Sequence, residues 1–285
     1  MSAIAGADPA ELREIRGPSA FGGGARRFFD LVWLTAVTEF KLGYHGTVLG
    51  FIWSLARPLL LFSVLLLVFS QVFQFGDDIK HYPAMLLLNV MLFNFFSEAT
   101  ENAVTSVVRN EGVVRKMQFP RLVIPLAVVL TNILQLSLNM VVVFLIILAT
   151  GVEPVWTWIL FPLSLGYLLV VTTAAAMLLS ALYVRIRDVA ILWSVLSMVL
   201  FYASPVLYPI ELAPDGLRDA IMLNPLAPLF EQTREWIIDP NAPGAIEAAN
   251  GDPLPIIIPA VFFFAICGLG LWVFNREAPR IAEDL

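Results

Sequence analysis

The chain has few charged residues for its length. Charged residues make up 14% of its 285 residues, whereas 59% are apolar, and the mean hydropathy is +0.82. So few polar side chains cannot cover a water-soluble globule of this size, and the apolar surplus must face lipid. We therefore predict an integral membrane protein. The net charge of −6 gives no support to a nucleic-acid partner.

Residues suited to metal binding or catalysis are also scarce. Cys267 is the single cysteine, which excludes a disulfide framework and a thiolate metal cluster within one chain. His45 and His81 are the only histidines and fall on opposite predicted membrane faces, so they do not form a metal site. The phosphate-binding pattern G-x-x-x-x-G-K-[ST] does not occur. The sequence thus predicts no catalytic residue, no metal site and no cofactor in this chain.

The N-terminal part contains no apolar core of the kind found in signal peptides. We interpret residues 1–25 as a cytoplasmic tail and predict an amphipathic interfacial helix over 26–45. Its apolar residues recur at helical spacing: Phe29, Val32, Trp33, Ala36, Val37, Phe40 and Tyr44. The same pattern also fits a helix that packs on another subunit, and both interpretations stay open.

Long stretches without charge predict the transmembrane helices, each of which needs about 20 residues. Six such stretches occur, the second containing only Lys80: 58–76, 79–97, 122–152, 154–184, 189–210 and 253–275. The turn at 150–154 separates the third from the fourth. The predicted fold is an all-α membrane protein with an interfacial helix and a six-span domain over 46–275, followed by a cytoplasmic C-terminus at 276–285.

The segment 209–252 between the last two spans contains a short apolar run. Residues 221–230 are apolar but include Pro225 and Pro228, so they are too short and too broken to cross a bilayer. We predict short helices on the outer side, either re-entrant or interfacial, because irregular backbone enters a membrane only where protein or a cavity surrounds it.

Basic residues predict the orientation, because they collect on the cytoplasmic side of membrane proteins. Six spans place both termini on one side, and 14 of the 17 Lys and Arg residues fall there, leaving three outside. Those three are Lys80, Arg218 and Arg234. Both termini are therefore predicted to be cytoplasmic. Glu98 and Glu101, near the predicted inner end of span two, are interpreted as structural or solvated carboxylates, with a proton relay as the alternative.

Four segments resemble one known family. They are 46–60 at the start of span one, 110–121 with its Phe119-Pro120-Arg121 ending, 185–188 (Arg-Ile-Arg-Asp), and 204–209 followed by 223–226. Taken in order, they extend over about 26–275, and the chain resembles the membrane (permease) subunit of ABC-type polysaccharide exporters. That family moves O-antigen, teichoic acid or cell-wall galactan.

The resemblance implies a homodimer with two copies of a separate cytoplasmic ABC ATPase, which would bind ATP and Mg. It also implies a lipid-linked glycan as substrate, carried by polyprenyl diphosphate, and a place in the bacterial cytoplasmic (inner) membrane. The family docks its ATPase on a cytoplasmic loop, which here spans about 106–121. The residues implied in ATPase coupling are Glu111, Gly112, Val113, Val114, Arg115, Lys116, Arg187 and Asp188.

Aromatic residues of spans one and five are predicted to line the translocation path, because flat rings offer apolar faces to sugars with little loss of side-chain entropy. They are Phe51, Trp53, Phe62, Phe69, Trp193, Phe201 and Tyr202. A membrane belt or lipid-facing role remains the alternative for them. Two other functions stay open: an ABC permease for another lipid or a drug, and a membrane enzyme acting on polyprenyl-linked sugars. The enzyme would need clustered acidic residues in the inner loops, where Asp188 stands alone.

Overall fold

The computed structural model describes residues 24–44, 50–72, 79–112 and 122–248, together with 257, 260–261, 264–270 and 272. Every regular element in this part of the chain is helical. The longer helices are α1 (Ala25–Tyr44), α2 (Gly50–Gln71), α3 (Tyr82–Arg109), α4 (Val123–Ala149), α5 (Phe161–Arg185) and α6 (Val189–Ala203). Three short helices follow: α7 (Asp215–Met222), α8 (Ala227–Thr233) and α9 (Ala245–Ala248).

Four helical segments are long and apolar enough to cross a membrane: Ile52–Gln71, Tyr82–Arg109, Val123–Ala149 and Trp156–Arg185. They confirm a multi-pass, all-helical membrane protein. The fifth predicted span corresponds to α6, which has only 15 residues. The sixth lies largely outside the described residues, although 264–270 are helical. The total of six spans therefore stays a prediction.

The boundaries of the first two spans differ from those predicted. Helix α2 begins at Gly50 and includes Arg57 and Pro58, and α3 continues past residue 97 to Arg109. Counting only charge-free residues placed span boundaries at Arg57 and Glu98, but a helix can continue through both kinds of residue. A long basic side chain can extend toward the membrane surface, and a carboxylate can face a cavity within the protein. Glu98 consequently lies eleven residues from the end of α3 at Arg109 and not at its inner end.

Helix α3 is the centre of the bundle. In its most apolar window 78% of the residues are buried, against 11% for α2. It packs against α2, α4, α5 and α6. A close backbone approach brings the later helical residues 264–270 to α5, since a Cβ on Gly270 would lie 2.8 Å from the Ala174 carbonyl oxygen. Small residues allow such approaches between membrane helices.

Helix α1 packs along the first part of α4. Phe28 and Val32 are buried in a cluster that includes Val123, and the Thr131 hydroxyl donates to the Ala36 carbonyl at 3.2 Å. A helix is present over most of the predicted range 26–45, and its apolar residues divide into two stripes. Val32 and Ala36 face the bundle, whereas Phe29 and Trp33 are exposed. Its depth in the membrane stays a prediction.

The chain after α6 forms the end of the bundle at which α3 begins, which we call the outer end after the predicted orientation. The irregular segment that follows Ala203 is buried, and α3 holds it by two hydrogen bonds: Asn89 Nδ2 donates to the Pro205 carbonyl at 3.2 Å, and the Tyr82 hydroxyl donates to the Leu207 carbonyl at 2.8 Å. The Tyr167 hydroxyl of α5 donates to the Pro225 carbonyl at 2.7 Å. These bonds satisfy backbone groups that α6 and α7 leave free.

Candidate functional site

Helices α3 and α6 run antiparallel and meet about once per helical turn. The Trp193 indole N–H donates to Thr100 Oγ1 at 2.9 Å. One turn further out, the hydroxyls of Ser97 and Ser197 share a hydrogen bond of 2.7 Å. Another turn out, the rings of Phe93 and Phe201 pack edge to face with centroids 5.1 Å apart. This regular seam fixes which side chains of both helices face α2.

An open groove of about 240 Å³ lies beside this seam, between α2, α3 and α6. Its polar lining consists of Asn94, Ser97, Glu101, Ser194 and Ser197. The remaining lining is apolar or aromatic: Leu61, Val90, Phe93, Met198, Phe201 and Tyr202. Hydroxyl, amide and carboxylate groups can exchange hydrogen bonds with sugar hydroxyls, and aromatic faces can contact the apolar faces of sugar rings. The groove therefore suits a polar, ring-shaped ligand.

The structure brings only some of the predicted path aromatics to this groove. Phe201 and Tyr202 line it, and Tyr202 is 59% exposed. Trp193 belongs to the same seam, but its ring packs against Phe96. Of the α2 aromatics, Phe62 and Phe69 pack partly buried against the main core, Trp53 is exposed, and the side chain of Phe51 lies outside the described part. Their role in transport stays a prediction.

The predicted coupling segments lie at one end of the bundle. Val107 of α3, Ile124 of α4 and Val184 of α5 form a buried cluster there. Glu111 and Gly112 follow α3 shortly after this cluster, while the exposed Arg187 and Asp188 follow α5. The Arg187 guanidinium lies 5.2 Å from the centroid of the Tyr183 ring. The other predicted coupling residues, Val113, Val114, Arg115 and Lys116, lie outside the described residues.

Glu98 and Glu101 line different cavities, although they are three residues apart. Glu101 faces the groove beside α6, whereas Glu98 lines a small cavity of about 10 Å³ between α3 and α4. A larger cavity of about 400 Å³ lies further toward the inner end, lined by Glu39, Asn102, Arg109 and others. Burial raises the pKa of Glu39, and the nearby Arg109 charge partly offsets this rise.

A charged cluster connects three elements of the outer end. Arg234 Nη1 contacts both carboxylate oxygens of Glu211, at 2.8 and 2.9 Å, and lies 3.4 Å from Glu231 Oε2. The other Glu231 oxygen accepts the Ile210 backbone N–H at 2.9 Å. Burial raises the pKa of Glu231 to about 7, although the Arg234 charge acts in the opposite direction. This cluster lies at the opposite end from the predicted coupling segments.

Sequence reasoning did not identify the polar residues that line these cavities. Asn132, Gln135 and Asn139 of α4 recur at intervals of three and four residues, the spacing of one helix face. That spacing within a charge-free stretch was a usable signal. The serine residues gave no such signal, because a serine in a membrane helix commonly donates its hydroxyl to a backbone carbonyl of the same helix.

The chain belongs to the ABC-2 type transporter family of membrane proteins, whose pattern matches residues 30–237. This match confirms the resemblance to ABC-type permeases. Among its relatives, the O-antigen export system permease protein RfbA of Klebsiella pneumoniae is 27% identical over 259 residues, covering 90% of this chain and 95% of the relative. The protein of the same name from Myxococcus xanthus is 29% identical over 249 residues, covering 87% and 92%.

Proposed function

We propose that this chain is the permease subunit of an O-antigen-type export system in the bacterial cytoplasmic membrane. It carries a polyprenyl-diphosphate-linked glycan outward, and a separate ABC ATPase supplies the energy. Two copies of the chain and two ATPase copies form the transporter, and both termini face the cytoplasm. ATP and Mg bind to the ATPase. The family and the names of its relatives support this assignment.

The groove between α2, α3 and α6 is the observation that carries the proposal. It combines aromatic rings with hydroxyl, amide and carboxylate groups along one side of α3. Many weak and similar contacts let a polymer move without being trapped in one deep minimum, as conduction requires. In a homodimer, the exposed aromatic residues of α2 and α6 extend this lining.

The outer segment completes the path as a re-entrant element. Helix α6 is 15 residues long, so it rises about 22 Å, less than the roughly 30 Å of a bilayer core. The chain thus leaves the helix before the outer surface and continues as irregular backbone buried against α3. Irregular backbone at membrane depth is tolerated when protein surrounds it.

At the inner end, ATPase movements reach the bundle through Glu111 and Gly112 after α3 and through Arg187 and Asp188 after α5. Both segments leave helices whose ends share the same buried cluster. A displacement at either segment is therefore transmitted to α3, the helix that lines the groove.

The test compares one set of aromatic residues on α2 and α6 with a second set elsewhere. Trp53→Leu, Phe201→Leu and Tyr202→Leu are combined, and the control combines Phe29→Leu, Trp33→Leu and Trp156→Leu, which lie away from the groove. The first set should lower the amount of polymer at the cell surface about tenfold or more, because each aromatic contact contributes about 0.5–1.5 kcal/mol. The control should keep export, since Leu replaces an aromatic ring adequately against lipid.

Surface polymer is measured at matched membrane levels of the chain. Equal export from the two triple variants contradicts a path along the α2 and α6 aromatics. A loss of ATPase from purified complexes of the first triple variant would place its defect in assembly instead of in the groove.

A further inference from the structure

Five polar side chains meet between α3 and α4 in the interior of the bundle. Asn94 and Glu98 of α3 and Asn132, Gln135 and Asn139 of α4 line the cavity of about 10 Å³. A cavity of that size holds one water-sized particle. Ionisable side chains within membrane spans are rare and mark functional sites by default. None of these five residues has a role in the proposed coupling segments or among the path aromatics.

Each of the five polar side chains that line the cavity carries an oxygen atom that can coordinate a cation. Asn94 Nδ2 donates to Glu98 Oε2 at 3.4 Å, and Asn132 Nδ2 donates to the Val128 carbonyl at 2.8 Å. Neither of these two bonds uses the amide oxygen of Asn94 or of Asn132. Asn139 is 6% exposed, and its buried Oδ1 has no hydrogen-bond partner. Buried acceptors are destabilising unless a donor or a cation satisfies them.

In its charged form, the carboxylate of Glu98 also requires a positive partner. Arg57 is the basic residue that acts on it electrostatically, but Arg57 is exposed, and no direct ion pair joins the two in the described part of the chain. One carboxylate with neutral amide oxygens carries a single negative charge. Calcium sites gather six to eight oxygens and magnesium keeps several of its waters, so this small cavity matches a monovalent cation better.

A polar route connects the cavity with the inner end of the bundle. Asn132 lines both this cavity and the larger one of about 400 Å³, whose lining also includes Glu39, Asn102 and Thr131. On α3, Asn94, Glu98 and Asn102 are spaced by four residues and thus share one helix face. An ion can therefore approach Glu98 from the inner side along polar groups.

We propose that Glu98, with the amide oxygens of Asn94, Asn132 and Asn139, binds one monovalent metal cation, Na⁺ or K⁺, between α3 and α4. The cation joins the central helix to its neighbour and stabilises the folded bundle. Asn94 also lines the groove beside α6, but Glu98, Asn132 and Asn139 do not, and the test below needs no transported substrate.

The experiment measures the thermal unfolding midpoint of the purified full-length chain in detergent. NaCl, KCl and choline chloride are compared at equal ionic strength. Because a ligand that binds only the folded state stabilises it by mass action, the midpoint should rise saturably with NaCl or KCl and not with choline chloride. Glu98→Gln should abolish the rise, whereas Glu101→Gln, which alters the neighbouring carboxylate in the open groove, should keep it.

The absence of a cation-specific rise in the unmodified chain overturns the proposal, as does an equal rise in Glu98→Gln. If Glu98→Gln does not fold, Asn139→Ala decides, since it removes only the amide and its unpartnered oxygen. Asn139→Ala should raise the half-saturating cation concentration about tenfold, and an unchanged concentration contradicts the site. Asn89→Leu is the control for loss of a buried amide, because it lies away from the cavity and should lower the midpoint equally in all three salts.

Discussion

The two ends of the helical bundle are held together in different ways. At the outer end, polar contacts join separate elements: Arg234 binds Glu211 at 2.8 Å, and the Trp158 indole N–H donates to the Ile237 carbonyl at 3.1 Å. At the inner end, apolar valine and isoleucine side chains form the described contacts between helices, while Arg187 and Asp188 are exposed. Polar groups thus join separate elements at the outer end, whereas charged side chains are exposed at the inner end.

The largest expected effect comes from breaking the charged cluster of the outer end. Arg234→Ala leaves Glu231, which is 1% exposed, without its positive partner. Removing one member of a buried ion pair destabilises by about 3–5 kcal/mol, so a clear fall in the thermal unfolding midpoint is expected. Lys80→Ala is the control, because it removes an exposed pair with Asp239 in which Lys80 is 60% exposed. Such pairs contribute about 0–1 kcal/mol.

A similar loss in both variants would contradict the distinction between a buried cluster and a surface ion pair at this end. The destabilisation caused by Glu211→Gln should lie between those of Arg234→Ala and Lys80→Ala, because Glu211 is partly exposed and shares the same arginine.

A pH dependence of intermediate size should also come from the outer end. The pKa of Glu231 is raised from 4.5 to about 7 by burial, so the folded state holds its proton more tightly than the unfolded state. Its contribution to stability is fully present below pH 4.5 and is lost as the pH rises to about 7. The difference amounts to up to about 3 kcal/mol.

The measurement is the unfolding midpoint at pH 5 and pH 8, compared with Glu231→Gln, which cannot titrate. The unmodified chain should lose more stability over this range than the variant. Equal losses would show that Glu231 does not titrate in this window.

The smallest effect on stability is expected at the inner end. Arg187→Ala combined with Asp188→Ala should change the unfolding free energy by no more than about 0.5 kcal/mol, the usual range for exposed positions. The same variant should recover less ATPase when the complex is purified from membranes. A destabilisation as large as that of Arg234→Ala would erase the difference between the two ends. Full recovery of the ATPase would remove both residues from the coupling surface.

The sequence predicted the helices well where a long apolar stretch contains no charged residue. The apolar stretches at 122–152 and 154–184 correspond closely to α4 and the segment Trp156–Arg185. They predicted boundaries poorly at Arg57 and Glu98, because the exposed Arg57 can extend toward the membrane surface, whereas Glu98 faces a cavity between two helices. Packing places the predicted path aromatics in different surroundings. Trp193 contacts Thr100 and Phe96, whereas Tyr202 is exposed.

The sequence by itself determined the membrane class, the helical architecture and the family, because hydrophobic length and local motifs are properties of contiguous residues. Only the tertiary structure decided that Glu98 faces the amides of α4 while Glu101 faces the serine residues of α6. Residues about 40 or 100 positions apart meet there through the registers of two antiparallel helix pairs. Lipid is as apolar as the helix surfaces, so these registers depend on close packing and individual hydrogen bonds, which no single segment encodes.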